Sequence, residues 1–252
     1  MILSLAGTSI TIAGDLSTSV AVRLGMEKSY RLHELDLDES STVVDIGACN
    51  GIVSIYLAKR YGCKIYAYEP MRGMYDLLLG NAALNNVSDK IVAINKAVSK
   101  DGRDLVMKGN FEVFPGTVSV FGEGPDIRNV KSISIADFIT DLDIIDLLKI
   151  NCEGMEYEIL VPDVLDKVRI LAGEFHFVSG GNPHDLKTLV EQYVSDCRLS
   201  LRLPRRRTMS ASERDMQTHN LARSNTVDLK PCECKDHKRM IITEVKKDDA
   251  SS

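Results

Sequence analysis

The stretch that most constrains what this chain can fold into is Val43-Val44-Asp45-Ile46-Gly47-Ala48-Cys49-Asn50-Gly51. A short apolar run with one acid in it meets glycine, then a small residue, then a second glycine. Apolar residues at helical spacing follow from Ile52 to Ala58. A buried strand that breaks into a tight loop and then a helix reads this way. Glycine lets a ligand touch bare backbone, and the helix that follows sets its N-terminus beside that ligand.

The loop departs from the dinucleotide fingerprint G-x-G-x-x-G. Counted from Gly47, that pattern needs glycine where Cys49 and Ile52 stand. What remains, Asp45-x-Gly47-x-x-x-Gly51, is the form typical of loops that hold S-adenosylmethionine; an ordinary strand–turn–helix with no ligand is the alternative. A second acid bears on the choice. Lys64-Ile65-Tyr66-Ala67-Tyr68 alternates and is rich in β-branched and aromatic residues, so it reads as the next strand. It ends in Glu69, eighteen residues after Gly51. An acid at the end of a second strand, about 20 residues on, is where a carboxylate accepts the ribose hydroxyls of an adenosine.

The 252 residues suffice for one α/β domain with a large core. We divide them into an N-terminal arm (1–42), a ligand-binding core (43–203) with a hairpin insertion near 99–135, and a polar loop with a last strand completing the sheet (204–252). A net charge of −5 speaks against nucleic acid or an anionic membrane as partner. No apolar run approaches the length of a membrane span. Met1–Gly7 lacks a basic leader and reads as a strand or arm. The six cysteines are mostly scattered, which fits reduced thiols in the cytoplasm.

The expected order along the core is a helix at 52–60, the strand at 64–68, a helix with Met71, Tyr75, Leu78 and Ala82 on one face, and a strand Ile91–Val98. Asn95 could meet an adenine edge or serve as a turn residue. Lys100-Asp101-Gly102-Arg103 reads as a hairpin turn. A buried strand Asp146–Asn151 then turns at Cys152-Glu153-Gly154 into a helix Met155–Leu160. Lys149, Asn151 and Glu153 lie two apart, so an extended backbone would project them to one side. Val168–Val178 is a further strand. It sets Glu174 and His176 on one face, Phe175 and Phe177 on the other, and should neighbour the strand carrying Asn151. A helix Asp185–Ser195 and a strand Met240–Val245 complete the pattern, with His33 and His184 at the surface. Arg205–Arg207 could grip a phosphate or an acidic glycan, or be a solvated face. Cys232-x-Cys234-x-x-His237 with His219 is a poor zinc set, because C-x-C is tighter than the usual spacing; no metal is expected. The order implies an α/β fold, a mostly parallel sheet with helices on both faces.

Asp45–Gly51, Tyr68-Glu69-Pro70 and Leu148-Lys149-Ile150-Asn151-Cys152-Glu153-Gly154-Met155-Glu156 together resemble the FkbM family of S-adenosylmethionine-dependent methyltransferases. The resemblance runs over about 43–178. It implies a Rossmann-like class I methyltransferase fold and O-methylation of a sugar or similar hydroxyl-bearing small metabolite. It points to Asp45, Gly47 and Gly51 for the cofactor loop and Glu69 for the ribose; Asn50 of that loop and Asn95, with its alternative as a turn residue still open, join them as cofactor-binding candidates. Two positions depart from the family: Cys49 stands where asparagine or glycine is common, and Asn151 where aspartate is usual. For the methyl transfer itself the candidates are His176 and Glu153 as base, with Lys149, beside Asn151, stabilising a developing alkoxide. The rivals are a binding module that keeps the fold without the chemistry, and a methyltransferase acting on nucleic acid.

Overall fold

Val43, Val44 and Ile46 leave no solvent face on the first core strand, and such a strand is stable only inside a sheet covered on both sides. The computed structural model, which describes residues 1–14, 26–110, 118–122, 124–176, 178, 181–202 and 239–243, puts it there. In chain order the strands are β1 (Ile2–Leu5), β2 (Thr8–Thr11), β3 (Thr42–Ile46), β4 (Lys64–Tyr68), β5 (Ile91–Ile94), β6 (Ala97–Ser99), β7 (Leu105–Gly109), β8 (Asp126–Val130), β9 (Ser132–Ser134), β10 (Ile145–Ile150), β11 (Val168–His176), β12 (Asp196–Arg202) and β13 (Arg239–Thr243). The helices are α1 (Ile52–Tyr61), α2 (Arg72–Leu84), α3 (Ile135–Ile139), α4 (Glu156–Ile159), α5 (Pro162–Leu165) and α6 (Pro183–Val190).

The main sheet has seven strands in the order β13-β12-β11-β10-β3-β4-β5. Every pair in it is parallel. The chain winds outward from β3 on one side through β4 and β5, and on the other through β10 to β13. The strand order therefore reverses between β3 and β10, and the crevice beyond their carboxyl ends is where open α/β sheets bind ligands.

Alternation along the strands builds two cores. Val43, Ile65, Leu147 and Ile170 face one side, against Ile52 and Ile55 of α1 and Leu78 and Ala82 of α2. Val44, Leu148, Leu171 and Phe175 face the other, against Phe138 of α3, Ile159 of α4, Val164 of α5 and Val190 of α6. Helices therefore cover both faces, as expected. Each fully buried side chain of this size contributes about 1.5–3 kcal/mol.

The amino-terminal β1 and β2 form an antiparallel hairpin, turned by Ala6 (φ 46°) and Gly7 (φ 81°). Asn81 of α2 and Asn85, the residue that caps it, hold the hairpin's exit. Asn85 exchanges hydrogen bonds with Thr11 (2.8 and 2.6 Å), and Asn81 with Ala13 (2.8 and 3.2 Å). A third bond from Asn81 Nδ2 reaches the carbonyl of Asn50, at 2.9 Å. The arm is thus tied to the same helix that touches the glycine loop.

Several expectations need correction. Ile91–Val98 is not one strand: β5 stops at Ile94, and β6 pairs in parallel with β9 in a separate small sheet. Asn95 causes the break, because its side-chain amide bonds the carbonyls of Glu69 and Pro70 in place of a ladder. Lys100–Arg103 is not a hairpin turn, since it joins β6 to β7 of another sheet; the hairpin of the insertion is β7–β8. The helix after Gly154 is only four residues long, and the proline of α5 starts a new one. Asn182 caps α6 through the His184 N–H, so that helix begins earlier than its apolar face suggests. The helix α2 and the exposed His184 are as expected, and Asn86, at φ 56°, turns the chain beyond the helix end. Arg205–Arg207, His219, Cys232, Cys234 and His237 lie outside the described residues.

Candidate active site

The crevice beyond β3 and β10 is built on a buried ion pair. Asp45 and Lys149 sit opposite each other in the β3–β10 register. Lys149 Nζ lies 2.9 Å from Asp45 Oδ1, and Ser54 of α1 donates to Asp45 Oδ2 at 2.7 Å. The ammonium also donates to the carbonyl of Gly47 at 2.7 Å. Asp45 is fully buried and Lys149 nearly so. Both therefore lie beneath the loop and brace it. Lys149, expected to stabilise an alkoxide, here spends its ammonium on Asp45 and the Gly47 carbonyl.

The glycines are needed by the protein's own backbone. A Cβ on Gly47, which has φ 79°, would sit 2.0 Å from the carbonyl oxygen of Asn151. The loops after β3 and β10 can touch only because that carbon is missing. Asn151 N donates to Ile46 O at 3.0 Å, closing the contact, while Asn151 Oδ1 is buried with no hydrogen-bond partner among the described residues. Gly51, with φ 86°, admits Leu78 of α2 in the same way.

The loop is fastened to the end of β4. Gly47 N and Ala48 N both donate to Tyr68 O at 3.0 Å. Cys49, at φ 53°, donates its N–H to Glu69 Oε2 at 2.8 Å, and Met71 N donates to Glu69 Oε1 at 2.8 Å. Glu69 is buried, with no ion pair among the described residues. Loss of solvent pushes its carboxyl up to about 7, against the pull of the two amides. Burial likewise pushes the Cys49 thiol up to about 12, so it is no nucleophile. Asn50 is buried, with its carbonyl held by Asn81. The Asn95 amide N–H groups hold Glu69 O and Pro70 O, which makes it a positioning residue for the acid.

A second cluster forms where β11 outruns β10. His176 Nδ1 is 2.9 Å from Glu156 Oε1, and His176 Nε2 is 3.4 Å from Glu153 Oε2. Burial alone would lower the imidazole's pKa. The hydrogen bond to Glu156 and the charges of Glu153, Glu156 and Glu174 outweigh it and hold the group above its ordinary value. Glu153 does not share a side with Lys149 as its spacing suggested. The strand ends at Ile150, and Glu153 takes a left-handed turn (φ 55°) that swings it to His176.

Glu156, fully buried and also accepting from Cys152 N at 3.2 Å, was missed from the candidates. Its signal was present as the second acid of Glu153-Gly154-Met155-Glu156. Ser54 and Ser119 were missed as well, and nothing in their local sequence marks them. Among the described residues no group of three or more His, Cys, Asp or Glu side chains is placed to hold a metal ion, and no helix is long and apolar enough to cross a membrane.

The curated methyltransferase sdnD of Sordaria araneosa is 28% identical over 158 residues, which is 50% of this chain and 61% of that protein. The chain thus spans about three fifths of the relative's length. Among solved structures, an FkbM methyltransferase from Methylobacillus flagellatus KT aligns at 19% identity and TM-score 0.36, covering 52% of this chain and 31% of its own. The N-terminal domain of human METTL16, crystallised with SAH, aligns at 14% identity and TM-score 0.39, covering 73% and 67%. The profile of the methyltransferase FkbM domain matches residues 45–198. That span opens on the acid beneath the loop, takes in Glu69 and both halves of the His176 cluster, and exceeds half the chain, so the chain belongs to the FkbM methyltransferase family.

Proposed function

We propose that this chain transfers the methyl group of S-adenosylmethionine to a hydroxyl oxygen of a sugar or small metabolite. Family membership supports methyl transfer, and one observation carries the cofactor: the buried Glu69 carboxylate at the end of β4. Each of its oxygens takes one backbone amide and keeps a lone pair free. A ribose diol would supply donors to both, replacing the water that burial removed. The residues present therefore fit the group, with Glu69 at the ribose, Asn95 fixing Glu69, and the loop 47–51 beside it.

When bound, S-adenosylmethionine supplies an electrophilic methyl and a neutral leaving thioether. The chain's own contribution is to align the acceptor, exclude water and take a proton. His176 is suited to the last task. Glu156 fixes its Nδ1 side, and the raised proton affinity makes Nε2 a better base for an acceptor hydroxyl. Such a base is worth roughly 10²–10⁴-fold. Glu153, on the Nε2 side, would orient that hydroxyl or receive its proton. The free cysteines Cys49, Cys63, Cys152 and Cys197 suit a reducing compartment, and we assign the enzyme to the cytoplasm on that ground.

The test is calorimetric titration with S-adenosylmethionine, followed by transfer of labelled methyl to a panel of sugars and polyols. Binding that Glu69→Ala abolishes, with a methyl ether as product, is the expected result. No binding by the wild-type protein overturns the reading. Binding without turnover on any hydroxylated acceptor favours a module that has kept the fold and lost the chemistry, for which Asn151 in place of the usual aspartate would be the first suspect.

A further inference from the structure

The insertion between β6 and β9 reaches the His176 cluster through Ser119. The Ser119 hydroxyl donates to the carbonyl of Glu153 and accepts the N–H of Phe121 at 3.0 Å. Those two bonds seat the Phe121 ring on the bare Cα of Gly154. A Cβ there would lie 2.7 Å from Phe121 Cδ2 and 2.6 Å from Val178 Cγ1, and Gly154 takes φ 112°, so only glycine fits. Gly154 directly follows Glu153, whose carboxylate faces His176 Nε2 at 3.4 Å. Phe121 nevertheless remains 46% exposed. An aromatic ring held through its backbone and packed on Gly154, nearly half exposed, and adjoining the turn that carries the acid of an acid–imidazole pair, has the makings of a platform for a ligand.

We propose that Phe121 is the floor of the acceptor subsite, and that the acceptor is a hydroxylated ring with one apolar face, such as a pyranose. The inference rests on the methyl-transfer reading above and narrows it. A pyranose carries its polarised C–H groups on a face and its hydroxyls around the rim. The phenyl quadrupole attracts such C–H groups while the rim hydroxyls stay free to bond. With the ring lying on Phe121, a rim hydroxyl points toward Glu153 and His176. A linear polyol has no such face and gains nothing from the platform.

Saturation-transfer NMR with methyl glucopyranoside, methyl galactopyranoside and linear glucitol tests this without needing turnover. The wild-type protein should saturate the ring C–H protons of a pyranoside and leave glucitol dark. Phe121→Leu, which keeps apolar bulk but has no ring, should bind the pyranoside roughly three- to tenfold more weakly, and Phe121→Tyr should retain it. Equal binding by Phe121→Leu, or no pyranoside saturation in the wild type, overturns the proposal. Calorimetry with S-adenosylmethionine on the same samples separates the two readings. Heat without pyranoside contact sinks the subsite alone; pyranoside contact without heat sinks the methyl-donor reading and leaves the platform standing.

Discussion

Glu69 Oε2 accepts the backbone N–H of Cys49 at 2.8 Å, so the acid that ends β4 and the loop that ends β3 are one unit. Cys49 holds a left-handed conformation (φ 53°) to make this bond, a geometry that is uncommon outside glycine and asparagine. The loop is thereby held by the chain's own groups, and what it offers a ligand is the acid at its edge.

The first prediction concerns the protonation of that acid. Burial raises the folded-state pKa of Glu69 to about 7 from its ordinary 4.5. A raised carboxyl pKa means that the folded state binds the extra proton between those values. The group therefore favours folding at pH below about 4.5, and that contribution is lost as pH rises through 7. Ribose donors prefer the ionised form, so S-adenosylmethionine should bind roughly tenfold more weakly at pH 6 than at pH 8. Calorimetry at the two pH values reads this directly, and a flat profile removes Glu69 from the ribose.

The second prediction separates a brace from a catalyst. Lys149→Met leaves the Asp45 carboxylate buried with only the Ser54 hydroxyl, which should cost about 3–5 kcal/mol. Adding Asp45→Asn removes the stranded charge and should recover part of the loss. Urea denaturation measures both variants. If Lys149→Met unfolds at the wild-type midpoint, the ammonium is not a brace.

The strands β3 and β10 were legible because strands buried on both faces leave apolar runs, broken in Val43–Ile46 only by Asp45 and in Leu147–Ile150 only by Lys149, and helices with apolar stripes must cover them, whereas β12 was not expected. Glu69 and His176 could be placed because each lies at the end of a recognisable strand, Lys64–Tyr68 by its alternation and Val168–His176 by its apolar content. The direction of side chains past a strand's end was not legible. Lys149, Asn151 and Glu153 keep their period of two only while the backbone stays extended, and it stops being extended after Ile150. The purpose of Gly47 was hidden too. The contact that requires it is the carbonyl of Asn151, more than a hundred residues away in sequence.

A third prediction follows from Asn81, which joins the amino-terminal arm to the glycine loop. Asn81→Ala removes its bonds to the exposed Ala13, whose backbone can turn to water, and to the buried Asn50 carbonyl, whose loss of a partner should cost about 1–3 kcal/mol. Asn85→Ala frees only Thr11 of the arm. Hydrogen exchange should therefore quicken at Ala13 and across the loop 47–51 in Asn81→Ala, and at Thr11 alone in Asn85→Ala. Matching loop exchange in the two variants would mean that the arm and the loop are not coupled through Asn81.

The fourth prediction uses Glu156, which is buried against His176 and well placed to act only through it. With both carboxylates near, the imidazole's pKa lies above its ordinary 6.5. A base must be unprotonated, so methyl transfer should rise with pH through that elevated value. Glu156→Gln keeps a hydrogen-bonding oxygen and removes the charge, so the rising limb should move to lower pH while substrate binding changes little. His176→Ala should abolish the limb and slow turnover about 10²-fold or more. The stability signs agree: a raised histidine pKa favours folding most below 6.5, and that contribution is lost as pH rises through the folded value. Glu156→Gln should therefore lose most stability on the acid side, where His176 is charged. A pH–rate limb that stays in place in Glu156→Gln would show that the proton taken from the acceptor does not go to His176.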